Sequence, residues 1–526
     1  MPESSEQRRA ALFSVHDRAG SAELARALTE AGVAIYATGG TRAHLAEHGI
    51  DALDVGDLTG FPPLFDGRVK TLHPKVFGAI LADRRKPEHV AEARRHDIPR
   101  FDYVVVNLYP FERTVAKPGA SLEEAIEQID IGGVSLLRAA AKNFESVTVL
   151  CDPRQYGEAI SALPSAPGVA ERKRLATRAF ERTAEYDSAI ARYMEAGLAA
   201  RELPGSLALT VPLAQSLRYG ENPQSRAAFY LAREGRLPEQ LHGKELSYNN
   251  LLDLDACLRV LSRATTPLPA GVSLPAGDAR RRVAIVKHTV PCGVAEDAGV
   301  AGAVTAALQA DPISAFGGII ATDGPIDVAS ADALGEFFLE IVAAPEFEPA
   351  ALEQLRRKKN LRIMRYARQL PEQLMAELEV RSALGGILAQ DRDPNATPES
   401  WHVAGRRAPT QKEWEDLAFA WDVVRHVKSN GVVIVKDRSA RGICAGQTNR
   451  VSAVQIAGKR AGGFARGAAC ASDGFFPFAD GLQAAADAGC TAVIAPSGSV
   501  RDAEVIAAAD ERGVALVFSN YRYFLH

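Results

Sequence analysis

The chain has 526 residues, 47% of them hydrophobic and 24% charged, with a formal net charge of −4. That length predicts several structural units, and the charge balance leaves no basic field for a polynucleotide backbone. Six scattered cysteines without a Cys-x-x-Cys pair, a polar start and no apolar run of about 18 residues point to a reduced, cytoplasmic protein with no disulfide framework, secretory signal or membrane span.

Ala11 to Val15 reads as a strand, followed by His16-Asp17-Arg18-Ala19-Gly20 and a helical pattern through Leu24 and Leu28. Val33 to Ala37 is a second strand, then come Thr38-Gly39-Gly40-Thr41 and a helix through Leu45. Strand, Gly-rich turn and helix in repetition is the signature of a parallel sheet. Hydroxyls and glycines opening a helix suit a phosphate, although a plain capped turn reads equally well. Gly67-Arg68-Val69-Lys70-Thr71-Leu72-His73-Pro74 adds two cations and a hydroxyl, and Pro74 argues for a loop. Phe101 to Leu108 is a further strand running into Tyr109-Pro110-Phe111. Asp130-Ile131-Gly132-Gly133 then opens a helix with Arg138 and Lys142 on one face, either site residues or a solvated stripe. From Gln155 to Leu203 the strands stop. Leu175, Ala179, Thr183, Tyr186, Ile190 and Tyr193 share one helical face, read as a brace between domains with its aromatics in a core. The domain boundary is placed at Pro204-Gly205.

Beyond it, Leu217-Arg218-Tyr219-Gly220-Glu221-Asn222-Pro223 is a loop, and Lys244 to Asn250 precedes a helical run with Asp253 and Asp255. The apolar run Val283 to Val286 delivers Lys287 and His288 to a turn punctuated by Pro291 and Gly293, as a strand presents reactive groups at its C-terminal end. Histidine changes charge near neutral pH, and an adjacent lysine can stabilise an anion; a bland surface pair is the alternative. Asp311 to Gly318, His426-Val427-Lys428-Ser429-Asn430, Gly446 to Arg450, Ala471 to Phe478, Ala495 to Ser499 and Asn520 to Phe524 complete the ordered motifs.

In this order, from Phe13 to Phe524, the motifs resemble the bifunctional purine biosynthesis family, with an IMP cyclohydrolase half and an AICAR transformylase half. The resemblance implies an α/β chain: a methylglyoxal-synthase-like parallel-sheet domain over residues 1–203, connector 155–203 included, then a duplicated cytidine-deaminase-like α/β domain over 204–526. It implies formyl transfer from 10-formyltetrahydrofolate to AICAR, releasing tetrahydrofolate. Formyl-AICAR (5-formamidoimidazole-4-carboxamide ribonucleotide) then closes to IMP with loss of water. No metal is implied in the chemistry, and the family forms homodimers with the transformylase site between subunits.

Carried over by motif, Lys70, Tyr109, Asp130 and Lys142 would serve ring closure. Arg18, Thr38, Gly39, Gly40, Thr41, Arg68, Lys70 and Thr71 would hold the phosphate, with His16, Asn107, Ile131, Gly132 and Gly133 completing that nucleotide site. In the second half His288 would be the base, Lys287 would stabilise the oxyanion or feed the leaving nitrogen, and Asn430 would orient the formyl oxygen. Arg218, Tyr219, Asn250, Arg450 and Arg522 would grip the nucleotide. Phe316, Phe475 and Phe524 would stack on flat rings, and Gly317, Glu340 and Ser499 would line the site. Lys287, His288 and Asn430 are expected to meet, and wide separation would count against this reading.

The chain departs from the family pattern at His16-Asp17-Arg18, at Gln224-Ser225 and at Ala479-Asp480. A zinc deaminase is excluded because Ala295 stands where a second cysteine is needed and the His-x-Glu is missing. Two alternatives are a nucleotide-sensing regulator and methylglyoxal synthase activity in the first half.

Overall fold

The computed structural model describes residues 9–526 apart from 63, 66–67, 118, 164, 196–202, 204, 232–236, 264–279 and 393–400. Gly67, Pro204 and part of the expected connector therefore lie outside the described residues. The chain divides into two compact units, Met1–Val211 and Pro212–His526.

In the first unit, β1 (Arg9–Val15), β2 (Ala34–Ala37), β3 (Leu53–Asp54), β4 (Arg100–Asn107) and β5 (Thr148–Leu150) form a parallel sheet in the order β3-β2-β1-β4-β5. Apart from their first residues, β1 and β4 are almost wholly buried, as expected of strands covered on both faces. The order reverses between β1 and β4, so the loops after these strands diverge and leave a crevice at their C-terminal ends. Pro74 does not prolong the preceding loop; it opens the helix Pro74–Leu81, whose first N–H groups need no partner within the helix. The His73 ring caps that helix, accepting from the Lys75 N–H at 3.2 Å. The long helix Val169–Glu195 turns Leu175, Ala179, Thr183 and Tyr186 inward. Leu175, Ala179 and Tyr186 join the core of this unit, with Thr183 buried beside them, so the face read as an interdomain brace is a wall of the first unit itself.

In the second unit the strands are, in chain order, β6 (Leu213–Leu217), β7 (Ala227–Tyr230), β8 (Glu239–His242), β9 (Arg281–Lys287), β10 (Val290–Asp297), β11 (Ile319–Thr322), β12 (Ile341–Ala344), β13 (Arg362–Arg365), β14 (Glu379–Ala383), β15 (Gly386–Gln390), β16 (Trp401–Val403), β17 (Val432–Lys436), β18 (Ser439–Cys444), β19 (Ala469–Ser472), β20 (Ala492–Pro496) and β21 (Ala515–Ser519). β6–β7 and β14–β15 are separate hairpins; the other twelve form one sheet ordered β16-β21-β20-β19-β17-β18-β10-β9-β11-β12-β13-β8.

That order is a duplication. Each half has an edge strand, a helix (Tyr248–Leu261 or Gln411–Val424), a hairpin (β9–β10 or β17–β18) and three more strands. The halves meet where β10 pairs with β18 at Ala295 and Ser439. Details recur as well. Ser247 and Thr410 each form a capping box at the start of their helix. A Cβ on Gly293 would sit 2.3 Å from the Ala307 carbonyl oxygen, and one on Gly442 would sit 2.1 Å from that of Ala457, so only glycine fits at either place.

The expected turn after Lys287 is tighter than Pro291 and Gly293 suggested. His288 and Thr289 make it alone, and Pro291 and Gly293 belong to β10, where the register shifts between them. A proline is tolerated in a strand at such an irregularity.

A buried ion network crosses the seam. Arg282 on β9 donates to Glu296 on β10 at 2.8 Å and to Asp422 at 2.5 Å, while Arg438 donates to Glu296 at 3.0 Å. Burial alone would raise the Glu296 carboxyl; the charges of Arg282 and Arg438 outweigh it and hold it below the usual range. Its stabilisation is therefore present above the ordinary glutamate pKa and is lost as pH falls through the folded value. Glu296→Ala takes the shared carboxylate from two buried guanidiniums, Arg282 keeping Asp422, and is expected to cost about 3–5 kcal/mol, read as a lowered urea midpoint.

Candidate functional sites

The crevice of the first unit is pinned by one side chain. Asn107, at the end of β4, accepts from the His16 and Asp17 N–H groups at 2.7 and 2.8 Å and donates to the Asp17 carbonyl at 2.7 Å. This ties the two diverging loops together. Thr41, buried in the first turn of the helix Gly39–Glu47, accepts from the Val15 N–H at 3.0 Å and fixes that helix against the end of β1. The N–H groups of exposed Gly39 and Gly40 are left at the helix start behind Thr38, and a Cβ on Gly40 would lie 3.5 Å from an Arg18 nitrogen. A helix N-terminus beside a guanidinium is a phosphate cradle.

Asp130 stands next to it. It accepts from the Gly133 N–H at 2.7 Å, and its own N–H donates to the Tyr186 hydroxyl at 2.8 Å. Burial pushes its carboxyl above the usual range, against the pull of the Gly133 and Tyr109 backbone and the charges of Lys70 and His16. The His16 ring meets Tyr109 edge-on at 5.4 Å. Gly133 cannot carry a Cβ, which would fall 2.4 Å from Asp130, and one on Gly132 would fall 3.0 Å from the buried Thr71 hydroxyl. His16, Lys70, Thr71, Tyr109, Asp130, Ile131, Gly132 and Gly133 thus gather at one place.

Arg68 is exposed and paired with Glu127. One expected residue stands apart. Lys142 is exposed at the far end of the helix Gly132–Lys142, about 15 Å along the axis from Gly132 at 1.5 Å per residue.

In the second unit the functional edge is divided. His288 and Thr289 have φ of 56° and 61°, the left-handed region both central residues of a two-residue hairpin need. For non-glycine residues this costs of order 1–3 kcal/mol each. The Asp253 carboxylate offsets it by accepting from the His288 and Thr289 N–H groups at 3.1 and 2.6 Å, bonds to a charged group being worth about 1.5–3 kcal/mol. Lys287 donates to the Phe316 carbonyl at 2.7 Å, and Phe316, 57% exposed, packs against Phe338. Gly317 (φ 74°) lets this loop turn beneath Lys287, and Glu340 pairs with Arg362 at 2.6 Å.

Asn430 belongs to a second cluster. Its oxygen accepts from Arg450 and its amide nitrogen donates to the Gln447 carbonyl at 2.8 Å. Arg450, buried, also holds Ser472 at 2.7 Å and the fully buried Asp473. A Cβ on Gly474 would strike both Arg450 and Phe524. Arg522 lies over the Phe524 ring at 4.8 Å, Phe475 is half-buried, and Ser499 sits before the helix Asp502–Arg512, its N–H donating to Asp502 at 3.2 Å.

β9 and β17 run in opposite directions, so Lys287 at the end of β9 and Asn430 just before β17 occupy the same sheet edge. β10 and β18 lie between them, three strand spacings or about 14 Å in all. Within one chain, then, Asn430 does not meet Lys287 and His288. Asn250 is engaged as a helix cap with Ser247, and Arg218 donates to the Tyr219 hydroxyl at 2.9 Å on a separate loop.

Cys292, which with His288 echoes a zinc motif, is buried, and burial pushes its thiol up to about 12. Among the described residues no group of three or more His, Cys, Asp or Glu could hold a metal ion, and no helix is long and apolar enough to cross a membrane.

Residues 20–135 match the MGS-like domain, and residues 140–460 match the family described as the AICARFT/IMPCHase bienzyme. The chain is 48% identical over 521 residues to the bifunctional purine biosynthesis protein PurH of Chloroflexus aurantiacus, covering 98% of each. It is 44% identical over 524 residues to the protein of that name from Bacillus cereus, covering 98% of this chain and 99% of that one. The chain belongs to the AICARFT/IMPCHase bienzyme family. It is an AICAR transformylase and IMP cyclohydrolase of purine biosynthesis, and its family uses 10-formyltetrahydrofolate as co-substrate.

In this bienzyme two contributors escape a sequence reading. Tyr186 looks like a core aromatic, yet its hydroxyl bridges the Asp130 N–H and the Gln128 carbonyl, the latter at 2.7 Å. Asp253 looks like a helix-surface acid. Its signal is internal: it follows its capping Ser247 at the same interval as Asp416 follows Thr410.

Because the folded pKa of Asp130 is raised, its contribution favours folding in acid and is lost as pH rises through that value. Asp130→Asn keeps an acceptor for the Gly133 N–H. It is expected to raise Tm at about pH 8 but not at about pH 4, while lowering the cyclisation rate. A lower Tm at the higher pH would show that the Lys70 and His16 charges outweigh burial.

Proposed function

We propose that the first unit carries the cyclohydrolase and the second the transformylase, in a cytoplasmic homodimer whose transformylase sites are each completed by two subunits. The separation of about 14 Å fails the expectation that the three side chains meet within one chain but fits a shared site: the Lys287–His288 turn and the Asn430–Arg450–Asp473 cluster occupy one sheet edge three strands apart, and a second copy would supply the missing half.

At such a site the AICAR amine attacks the formyl carbon of 10-formyltetrahydrofolate. His288 takes the amine proton as the new N–C bond forms, because the amine's lone pair is spread into the imidazole and attack needs that help. The formyl oxygen becomes an oxyanion. Lys287 offers a positive charge, and Asn430, with one amide hydrogen spent on Gln447, offers the other. The carbon–N10 bond then breaks and tetrahydrofolate leaves with a proton. Phe316 and Phe524, partly exposed, offer faces for the pterin and imidazole rings.

In the first unit the Arg18 guanidinium and the start of the Gly39–Glu47 helix hold the phosphate of formyl-AICAR. The carboxamide nitrogen attacks the formyl carbon, and the Asp130, Lys70, His16 and Tyr109 cluster exchanges the protons that let water depart. No step calls on a metal. Purified protein given AICAR and 10-formyltetrahydrofolate is expected to yield tetrahydrofolate and IMP in equal amounts. Release of neither, with AICAR bound, would favour a nucleotide-sensing regulator.

A further inference from the structure

The two hairpins of the duplicated domain are built alike but used differently. In the first half, His288 and Thr289 turn with φ of 56° and 61°, and the Asp253 carboxylate accepts both of their N–H groups. In the second half, Asp437 and Arg438 turn with φ of 55° and 54°, and Asp416 accepts both of theirs at 3.1 and 2.7 Å. Each carboxylate comes from the same place on the helix ahead of its hairpin. The lysine before each turn repeats too: Lys287 donates to the Phe316 carbonyl at 2.7 Å and Lys436 to the Arg466 carbonyl at 2.6 Å. The scaffold of lysine, left-handed turn and carboxylate clamp is therefore a property of the fold. What differs is the load. The first turn carries an exposed imidazole, and the second carries Asp437 and a buried Arg438 committed to Glu296.

We propose that Asp253 is a positioning residue for formyl transfer, aiming the His288 imidazole by holding two consecutive N–H groups of its turn. A hairpin with no glycine at either left-handed position has no intrinsic preference for this shape. A carboxylate accepts two N–H bonds at once, whereas an amide side chain in the same place presents one oxygen and one nitrogen donor, so it can match only one of them well. Losing one bond frees the turn to relax and swings the imidazole away from the amine it must deprotonate, at a site where misplacement by about 1 Å costs on the order of a hundredfold. This rests on the reading of His288 as the base.

The second half supplies the control that a lone substitution lacks. Asp253→Asn is expected to lower kcat for formyl transfer at least tenfold, with KM for AICAR changed less than threefold and cyclisation of supplied formyl-AICAR unaltered. Asp416→Asn, which loosens the matching clamp, is expected to lower Tm by a similar amount and leave formyl transfer within twofold of wild type. Adding Thr289→Gly to Asp253→Asn relieves the left-handed strain; Tm is expected to recover and kcat is not. The inference is overturned if Asp253→Asn keeps full kcat, if Asp416→Asn loses formyl transfer to the same degree, or if kcat returns with Tm in the glycine double variant. His288→Ala, measured beside them, separates the two claims. Full formyl transfer there removes the base itself, whereas loss there with an active Asp253→Asn removes only the positioning role.

Discussion

His288→Ala is expected to lower formyl transfer by about 10²- to 10⁴-fold while cyclisation of supplied formyl-AICAR continues at the wild-type rate. The size follows from the nucleophile. An amine conjugated with an imidazole ring is weakly basic and becomes strongly acidic as it bonds to carbon, so an unassisted proton transfer to water is slow. Lys287, already donating to the Phe316 carbonyl, is a cation and cannot take that proton. The second half of the prediction follows from the division of the chain. His288 lies in the unit Pro212–His526, whereas Asp130, Tyr109 and Lys70 lie in Met1–Val211. Assays of each step with its own substrate check both halves. Parallel loss of the two activities would contradict the assignment of one reaction to each unit.

The sequence made some of this plain and hid the rest for physical reasons. β1 and β4 stood out because parallel strands buried on both faces are continuous apolar runs, and the loops after β1 and β2 stood out because glycine and hydroxyl residues mark helix starts. The hairpin at His288 did not. Its turn holds two residues that disfavour left-handed backbone, and the usual signal, an Asn-Gly pair, is absent because Asp253 does the work from 35 positions upstream. Pro291 and Gly293 looked like turn residues, but both answer to strand geometry, one at a register shift and one against the Ala307 carbonyl. Residue identity suggested gripping roles for Arg450 and Asn250; burial gives Arg450 to Asp473, Ser472 and Asn430, and capping gives Asn250 to Ser247. Tyr186 could not be found at all, since one hydroxyl on a core-facing aromatic leaves no pattern. The gap between Lys287 and Asn430 was equally invisible, because strand order in a twelve-stranded sheet is not written in spacing.

That gap yields the second large effect. Taken singly, His288→Ala and Asn430→Ala are each expected to be inactive in formyl transfer, yet a mixed population of the two is expected to regain about a quarter of wild-type activity, since half of randomly assorted dimers are mixed and one of the two symmetric sites in each is whole. In a mixed dimer one site draws both its imidazole and its amide from unaltered side chains on different chains, and the other collects both losses. Rearrangement within a chain cannot substitute for this. β10 and β18 lie paired between the two half-sites, with Glu296 clamped by Arg282 and Arg438 across the seam, so closing about 14 Å would mean breaking the sheet and its buried ion network. The measurement uses the two variants co-expressed with different affinity tags, the mixed dimer isolated through both, and formyl transfer assayed with cyclisation as the internal standard. Isolated mixed dimers should show half the wild-type rate per dimer. If they are as inactive as either parent, each site is built from a single chain, and some large movement of the sheet edge must bring Asn430 to His288.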